Sequence, residues 1–132
     1  MVVPAAVRRA LEEHAAAEAP NEACGLVLLR DGVAERYLPC VNRLASPYRF
    51  DLVVPDPALV VEAEEAGYEL GVFHSHPTDS AAPSKTDLAN VGLSEDRPYL
   101  ILSRATGELA GWRIRAGAAE PLRLETDEAA AG

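Results

Sequence analysis

The dipeptide Asp31-Gly32 constrains the fold of this chain more than any other feature of its sequence. It stands between CGLVLLR and VAERYLPCV, two segments rich in branched residues. Asp-Gly favours the left-handed backbone of a two-residue turn, so the flanking segments are expected to pair as an antiparallel hairpin. Uninterrupted pairing about that turn sets Cys24 opposite Pro39 and Cys40 opposite Ala23, which sends the two sulfurs to opposite faces. These are the only two cysteines, too few for a disulfide framework and too far apart for a CxxC motif, and both read as reduced.

A hairpin must cover its apolar faces, and the remaining sequence supplies the elements that can do so. Upstream, Pro4 opens a helical repeat of Val7, Leu11 and Ala15 to Ala17 that stops at Pro20. Downstream, YRFDLVV alternates as a third strand, and Asp56-Pro57 starts a second helix through ALVVEAEEAG that Gly67 ends. YELGVFHSH then reads as a strand and PTDSAAP as a loop. A short helix beginning at Ser84 contains KTDLANVGL, and PYLILSR and ELAGWRIR are strands around the turn ATG.

Helices interleaved with recurring hairpins predict an α/β (α+β) fold, with a mixed, mainly antiparallel sheet flanked by helices. At 132 residues the chain suits a single domain, expected over residues 1–124, with ETDEAAAG at 125–132 as an acidic, disordered tail. The net charge of -9 argues against nucleic acid or an anionic membrane surface as the main partner and leaves room for a neutral or basic protein. No stretch approaches the ~18 apolar residues of a membrane span, and MVVPAAVRRALEEH has no apolar run suited to a signal peptide. The expected location is the cytoplasm.

The chemistry concentrates in FHSHPTDSAAPSKTD, residues 73–87. Strand alternation projects His74 and His76 from one face, where both imidazoles can reach one metal ion, while Ser75 points away. A catalytic zinc commonly takes three protein ligands and keeps one position open. Asp87 is the best third ligand if the loop from Pro77 folds back; Asp79 competes for the role but suits a turn better. SKTD also has the form of a capping box, in which Ser84 and Asp87 would only satisfy free N–H groups at a helix start. Hydrolysis at a metal further needs a base and a donor to the developing oxyanion, for which the sequence offers Glu22, at the border of an apolar run, and Ser84. Periodicity alone does not assign these two roles. His14 reads as a surface histidine and Cys24 as a small buried hydrophobe.

Glu22 in NEACGL, His74-Ser75-His76-Pro77, and Pro83-Ser84 with Asp87 together resemble the JAMM signature of the JAB1/MPN/Mov34 metalloprotease family. Every position of that signature is matched, and the order of elements resembles the family's along nearly the whole chain. The resemblance implies a single JAB1/MPN-type domain in which His74, His76 and Asp87 bind zinc (Zn2+), Glu22 is the general acid/base and Ser84 helps hold the oxyanion. Ser75 would belong to the supporting shell. It implies, further, hydrolysis of a peptide or isopeptide bond after the C-terminal Gly-Gly of a ubiquitin-like protein. Small size and the segments NEACGLVLL and PYLILSR…GWRIR are similar to the stand-alone prokaryotic branch, whose partners are ubiquitin-like sulfur-carrier proteins and one line of which releases cysteine from a carrier adduct. The same fold also serves as a non-catalytic protein-binding scaffold in relatives that have lost the ligands. A cupin would want another histidine after His76, and none follows; an amidohydrolase barrel needs a much longer chain.

Overall fold

Asp31 and Gly32 both take positive φ, 51° and 77°, and close the hairpin between β1 (Cys24–Arg30) and β2 (Val33–Pro39). The computed structural model describes residues 1–92 and 95–126; residues 127–132, most of the expected acidic tail, lie outside the described residues. The pairing carries a β-bulge that simple alternation does not reveal. Leu28 pairs with Arg36 but Leu29 with Ala34, so Glu35 is the extra residue and the register beyond it moves by one. Gly25 then faces Pro39, and the Cys40 N–H donates to the Cys24 carbonyl at 3.0 Å. Cys24 and Cys40 therefore sit opposite each other on one face, which corrects the expected placement on opposite faces; both are free and buried.

The chain continues through α1 (Ala5–Glu18), which precedes the hairpin, then β3 (Val41–Asn42), β4 (Leu52–Val53), α2 (Pro57–Glu65), β5 (Glu69–His76), α3 (Lys85–Ala89), β6 (Pro98–Ser103), β7 (Leu109–Arg115) and β8 (Ala118–Leu122). Six strands form one sheet in the order β2-β1-β5-β6-β7-β8, with β5–β6 the parallel pair and the other four pairings antiparallel. The mixed, mainly antiparallel sheet flanked by helices is thus observed. The expected third strand shrinks to Leu52–Val53 and pairs with Val41–Asn42 in a separate two-stranded ribbon. β8 has no counterpart in the sequence reading, because Pro121 and its alanines carry little strand propensity. An edge position, preceded by a turn at Ala116 and Gly117 with φ of 51° and 76°, tolerates both.

Two apolar layers sandwich the sheet. On one face Val7, Leu11 and Ala15 of α1 pack with Val27, Tyr37, Phe73 and Leu100. On the other, Ala63 of α2 and the segment around Phe50 and Leu52 cover Leu26, Leu28, Val72 and Ile101. β5, buried from Leu70 to His76, lies between both layers, so its polar C-terminal end is delivered to the inside of the protein. Val2 bridges Val33 at one edge of the sheet and Glu125 beyond the other, tying the two edges together there. Among the described residues no helix is long and apolar enough to cross a membrane.

Gly25 marks the closest approach in the hairpin. A Cβ there would overlap the Tyr37 ring and stand 2.5 Å from the Leu38 carbonyl, on backbone that cannot swing aside. Gly25→Ala is expected to cost about 3 kcal/mol through overpacking. The check is a lower denaturant midpoint at an unchanged m-value.

Candidate metal centre

Among the described residues Glu22, His74, Ser75, His76, Asp87 and Ser103 are the buried polar ones, and four of them meet at one end of β5. Pairing does the positioning. Cys24 faces His74 across β1 and β5, so Glu22, two residues upstream, comes level with His76. Ser75 points away, as alternation predicts, and its Oγ accepts the Ala23 N–H at 2.9 Å. That bond anchors the residue following Glu22 to the histidine strand.

The loop after Pro77 does fold back. His74 Nε2 and His76 Nε2 face each other at 2.9 Å, and Asp87 Oδ2 stands 3.3 Å from the first and 3.0 Å from the second. Among the described residues, His74, His76 and Asp87 form the group able to hold a metal ion. Asp79 is exposed in the loop, where its carbonyl accepts from Ser103 Oγ, and takes no part. The capping box exists as well. Asp87 Oδ2 accepts the Ser84 N–H at 2.9 Å while Ser84 Oγ accepts the Asp87 N–H at 3.0 Å. Cap and ligand are therefore not rivals, since one carboxylate oxygen serves both and the cap fixes its direction.

These donors fit a metal on two counts. His76 Nδ1–H donates to the Ser80 carbonyl at 2.7 Å, which turns Nε2 toward the Asp87 carboxylate and the other imidazole. Two imidazole nitrogens and a carboxylate oxygen thus converge in a buried place, the donor set a divalent cation takes. Second, ligands held 2.0–2.1 Å from a tetrahedral ion lie roughly 3.3 Å apart, close to the separations found.

Glu22 is 2% exposed, and its Oε1 lies 3.9 Å from His74 Nε2 with no hydrogen-bond partner among the described residues. Burial, and after it the charge of Asp87, pushes its carboxyl up to about 8. Burial pulls His74 below the usual imidazole value. In His76 burial is outweighed by its bonds to Asp87 and Ser80, and the value rises. Burial opposes ionisation of Asp87, but the bonds from both histidines and Ser84 N–H hold it well below the usual carboxylate range.

Two aromatic residues that the motif does not contain complete the centre. Phe50 stacks on the His74 ring at 4.7 Å, and Tyr99 meets it edge-on at 5.2 Å. Asn42 is equally silent in the sequence. Its Nδ2 donates to the carbonyls of both Glu22 and Arg49 at 3.1 Å, joining the segment that leads into β1 to the loop before β4. His14 lies elsewhere, its Nδ1 2.6 Å from the Tyr37 hydroxyl, and is partly buried rather than on the surface. A groove of about 430 Å³, lined by Leu26, Leu52, Val60, Val72 and Val91 among others, meets the centre at Phe50.

Residues 4–115 match the family described as prokaryotic homologs of the JAB domain. The chain is 37% identical over 100 residues to the tail tip assembly protein K of Escherichia phage N15, a match over 76% of this chain and 40% of that protein, so it spans less than half the length of that relative. It is 32% identical over 133 residues to the CysO-cysteine peptidase of Mycobacterium tuberculosis, covering 94% of this chain and 90% of that enzyme. Among solved structures, a Desulfitobacterium hafniense protein determined in solution superposes with a TM-score of 0.80 at 29% identity, over 97% of this chain and 94% of that one. A JAB1/MPN domain protein from Archaeoglobus fulgidus shares the fold, with a TM-score of 0.61 at 18% identity over 97% of each chain.

Proposed function

The chain belongs to the prokaryotic homologs of the JAB domain, and from that premise we propose that it is a zinc-dependent peptidase acting after the C-terminal Gly-Gly of a ubiquitin-like sulfur-carrier protein, with cysteine as the released residue. The observation that carries the reading is the convergence of His74, His76 and Asp87 on one point with the buried Glu22 carboxylate 3.9 Å from His74. A relative matched along nearly its full length is named a CysO-cysteine peptidase, which supports the choice of substrate. Two free thiols fit a reducing compartment and support the cytoplasm.

His74 and His76 would hold a metal through Nε2 and Asp87 through Oδ2. A zinc ion bound there would supply Lewis acidity toward the scissile carbonyl and the attacking water. Glu22 accepts a proton from the attacking water and passes it to the leaving nitrogen, without a covalent enzyme intermediate. The Ser84 oxygen is engaged by the Asp87 N–H, which leaves its own hydrogen to donate to the carbonyl oxygen as negative charge builds there. Phe50 and Tyr99 keep the His74 ring from turning, and the groove meeting the centre at Phe50, lined by aliphatic residues together with Asp51, Glu64 and Arg97, suits an extended carrier tail. A protein-binding scaffold has no need of two imidazoles and two carboxylates buried together, each at a cost in desolvation.

The test is mass spectrometry of a carrier extended by cysteine beyond Gly-Gly after incubation with the zinc-loaded protein. Carrier ending at Gly-Gly plus free cysteine is expected. An intact fusion beside fully loaded protein would remove the peptidase reading.

A further inference from the structure

Where the ligand group meets solvent, a crevice is lined by Arg49, Phe50, Thr86, Asp87, Asn90 and Tyr99. Arg49 is its basic side chain, and it is exposed. Its guanidinium has no hydrogen bond or ion pair among the described residues, although acids are abundant nearby. Asp51, two residues on, is taken by Arg43, whose Nε lies 2.7 Å from the Asp51 carboxylate. Asp87 Oδ2 is committed to both imidazoles and to the Ser84 N–H.

The backbone beneath Arg49 is fixed rather than loose. Asn42 Nδ2 holds the Arg49 carbonyl and the Glu22 carbonyl together, while Asn42 Oδ1 accepts the N–H groups of Leu44 and Asp51 at 3.1 and 3.0 Å. The next residue, Phe50, is stacked on His74. One amide side chain thus sets the base and the base of the arginine in a common frame, beside the ligand group, with the guanidinium's donors uncommitted.

We propose that Arg49 binds the free α-carboxylate of the residue being released, which makes the substrate a carrier bearing one terminal amino acid and not an isopeptide-linked protein. This rests on the hydrolytic reading of the same centre. Three bonds separate the attacked carbonyl carbon from the carboxylate carbon of the following residue, a span within about 4 Å. A group that reads that carboxylate has to stand at the rim of the ligand group, as Arg49 does. The planar guanidinium can engage both carboxylate oxygens at once. An isopeptide places an uncharged lysine stem in the same position and gives Arg49 nothing to bind. The reaction balances with one water: the acyl C–N bond breaks, a C–O bond forms, both water hydrogens end on the released amine, the first by way of Glu22, and the carrier leaves as a carboxylate.

The experiment compares a carrier ending Gly-Gly-Cys with the same carrier ending in the cysteine amide, cleaved by zinc-loaded wild type, Arg49→Gln and Arg49→Lys. Wild type is expected to favour the acid by about tenfold or more in kcat/KM, the scale of a charge-assisted pair. In Arg49→Gln the ratio falls close to one through a higher KM for the acid, and Arg49→Lys keeps part of the preference. Equal cleavage of acid and amide by wild type overturns the proposal, as does an Arg49→Gln that slows both by the same factor, since that is the mark of a structural role. Cleavage of neither by wild type contradicts the peptidase reading itself and the clamp with it.

Discussion

Glu22→Gln retains a full complement of metal and hydrolyses the carrier adduct about 10³-fold more slowly than wild type, within the range a positioned acid/base contributes. Glutamine occupies the same buried slot, so neither the β1–β5 pairing nor the bond from Ala23 N–H to Ser75 Oγ is disturbed. What changes is basicity. The carboxylate oxygen that faces His74 has no partner among the described residues to satisfy it, and the amide put in its place cannot accept a proton. Removing a buried carboxyl that shares its surroundings with Asp87 also relieves a repulsion, so the thermal midpoint should stay level or rise. The measurement is kcat beside metal content on the same sample. A variant with full metal and full activity would dismiss Glu22 as the base.

Asp87→Ala is the second large effect, and it falls on binding. The anionic ligand disappears, and both imidazoles lose the carboxylate that organises them. Loss of outer partners alone typically weakens a site 10–100-fold, so loss of a ligand is expected to weaken zinc binding by more than about 100-fold. The same change removes one arm of the capping box, which costs about 1 kcal/mol and complicates any reading of stability. Ser84→Ala separates the two effects, because it breaks the cap and leaves all three ligand atoms in place. Calorimetric zinc titration is therefore expected to show a large loss in Asp87→Ala and a small one in Ser84→Ala. Unchanged affinity in Asp87→Ala would contradict the assignment of the third ligand.

How far the sequence carried depends on the range of the interaction concerned. The H-x-H pair on β5 was legible because strand alternation is local, and the SKTD cap because helix starts are local. Glu22 was visible as an acid beside an apolar run but could not be assigned a role from periodicity, since its place is set by the long-range pairing of β1 with β5, Glu22 being level with His76 only through Cys24 and His74. Phe50, Tyr99 and Asn42 carry no motif, and each acts through a tertiary contact that only the folded chain provides. The bulge at Glu35 shows the limit most plainly. One unpaired residue reversed the expected relation of Cys24 and Cys40, and nothing in VAERYLPCV announces it.

The central claim is that one metal, held by His74, His76 and Asp87, turns Glu22 into a catalytic base. It is tested most directly by stripping the protein with a chelator and adding zinc back while hydrolysis of the carrier–cysteine adduct is followed. The rate should climb from near zero and level off at one zinc per chain. Activity that persists in the stripped protein, or that shows no break at one equivalent, would contradict it.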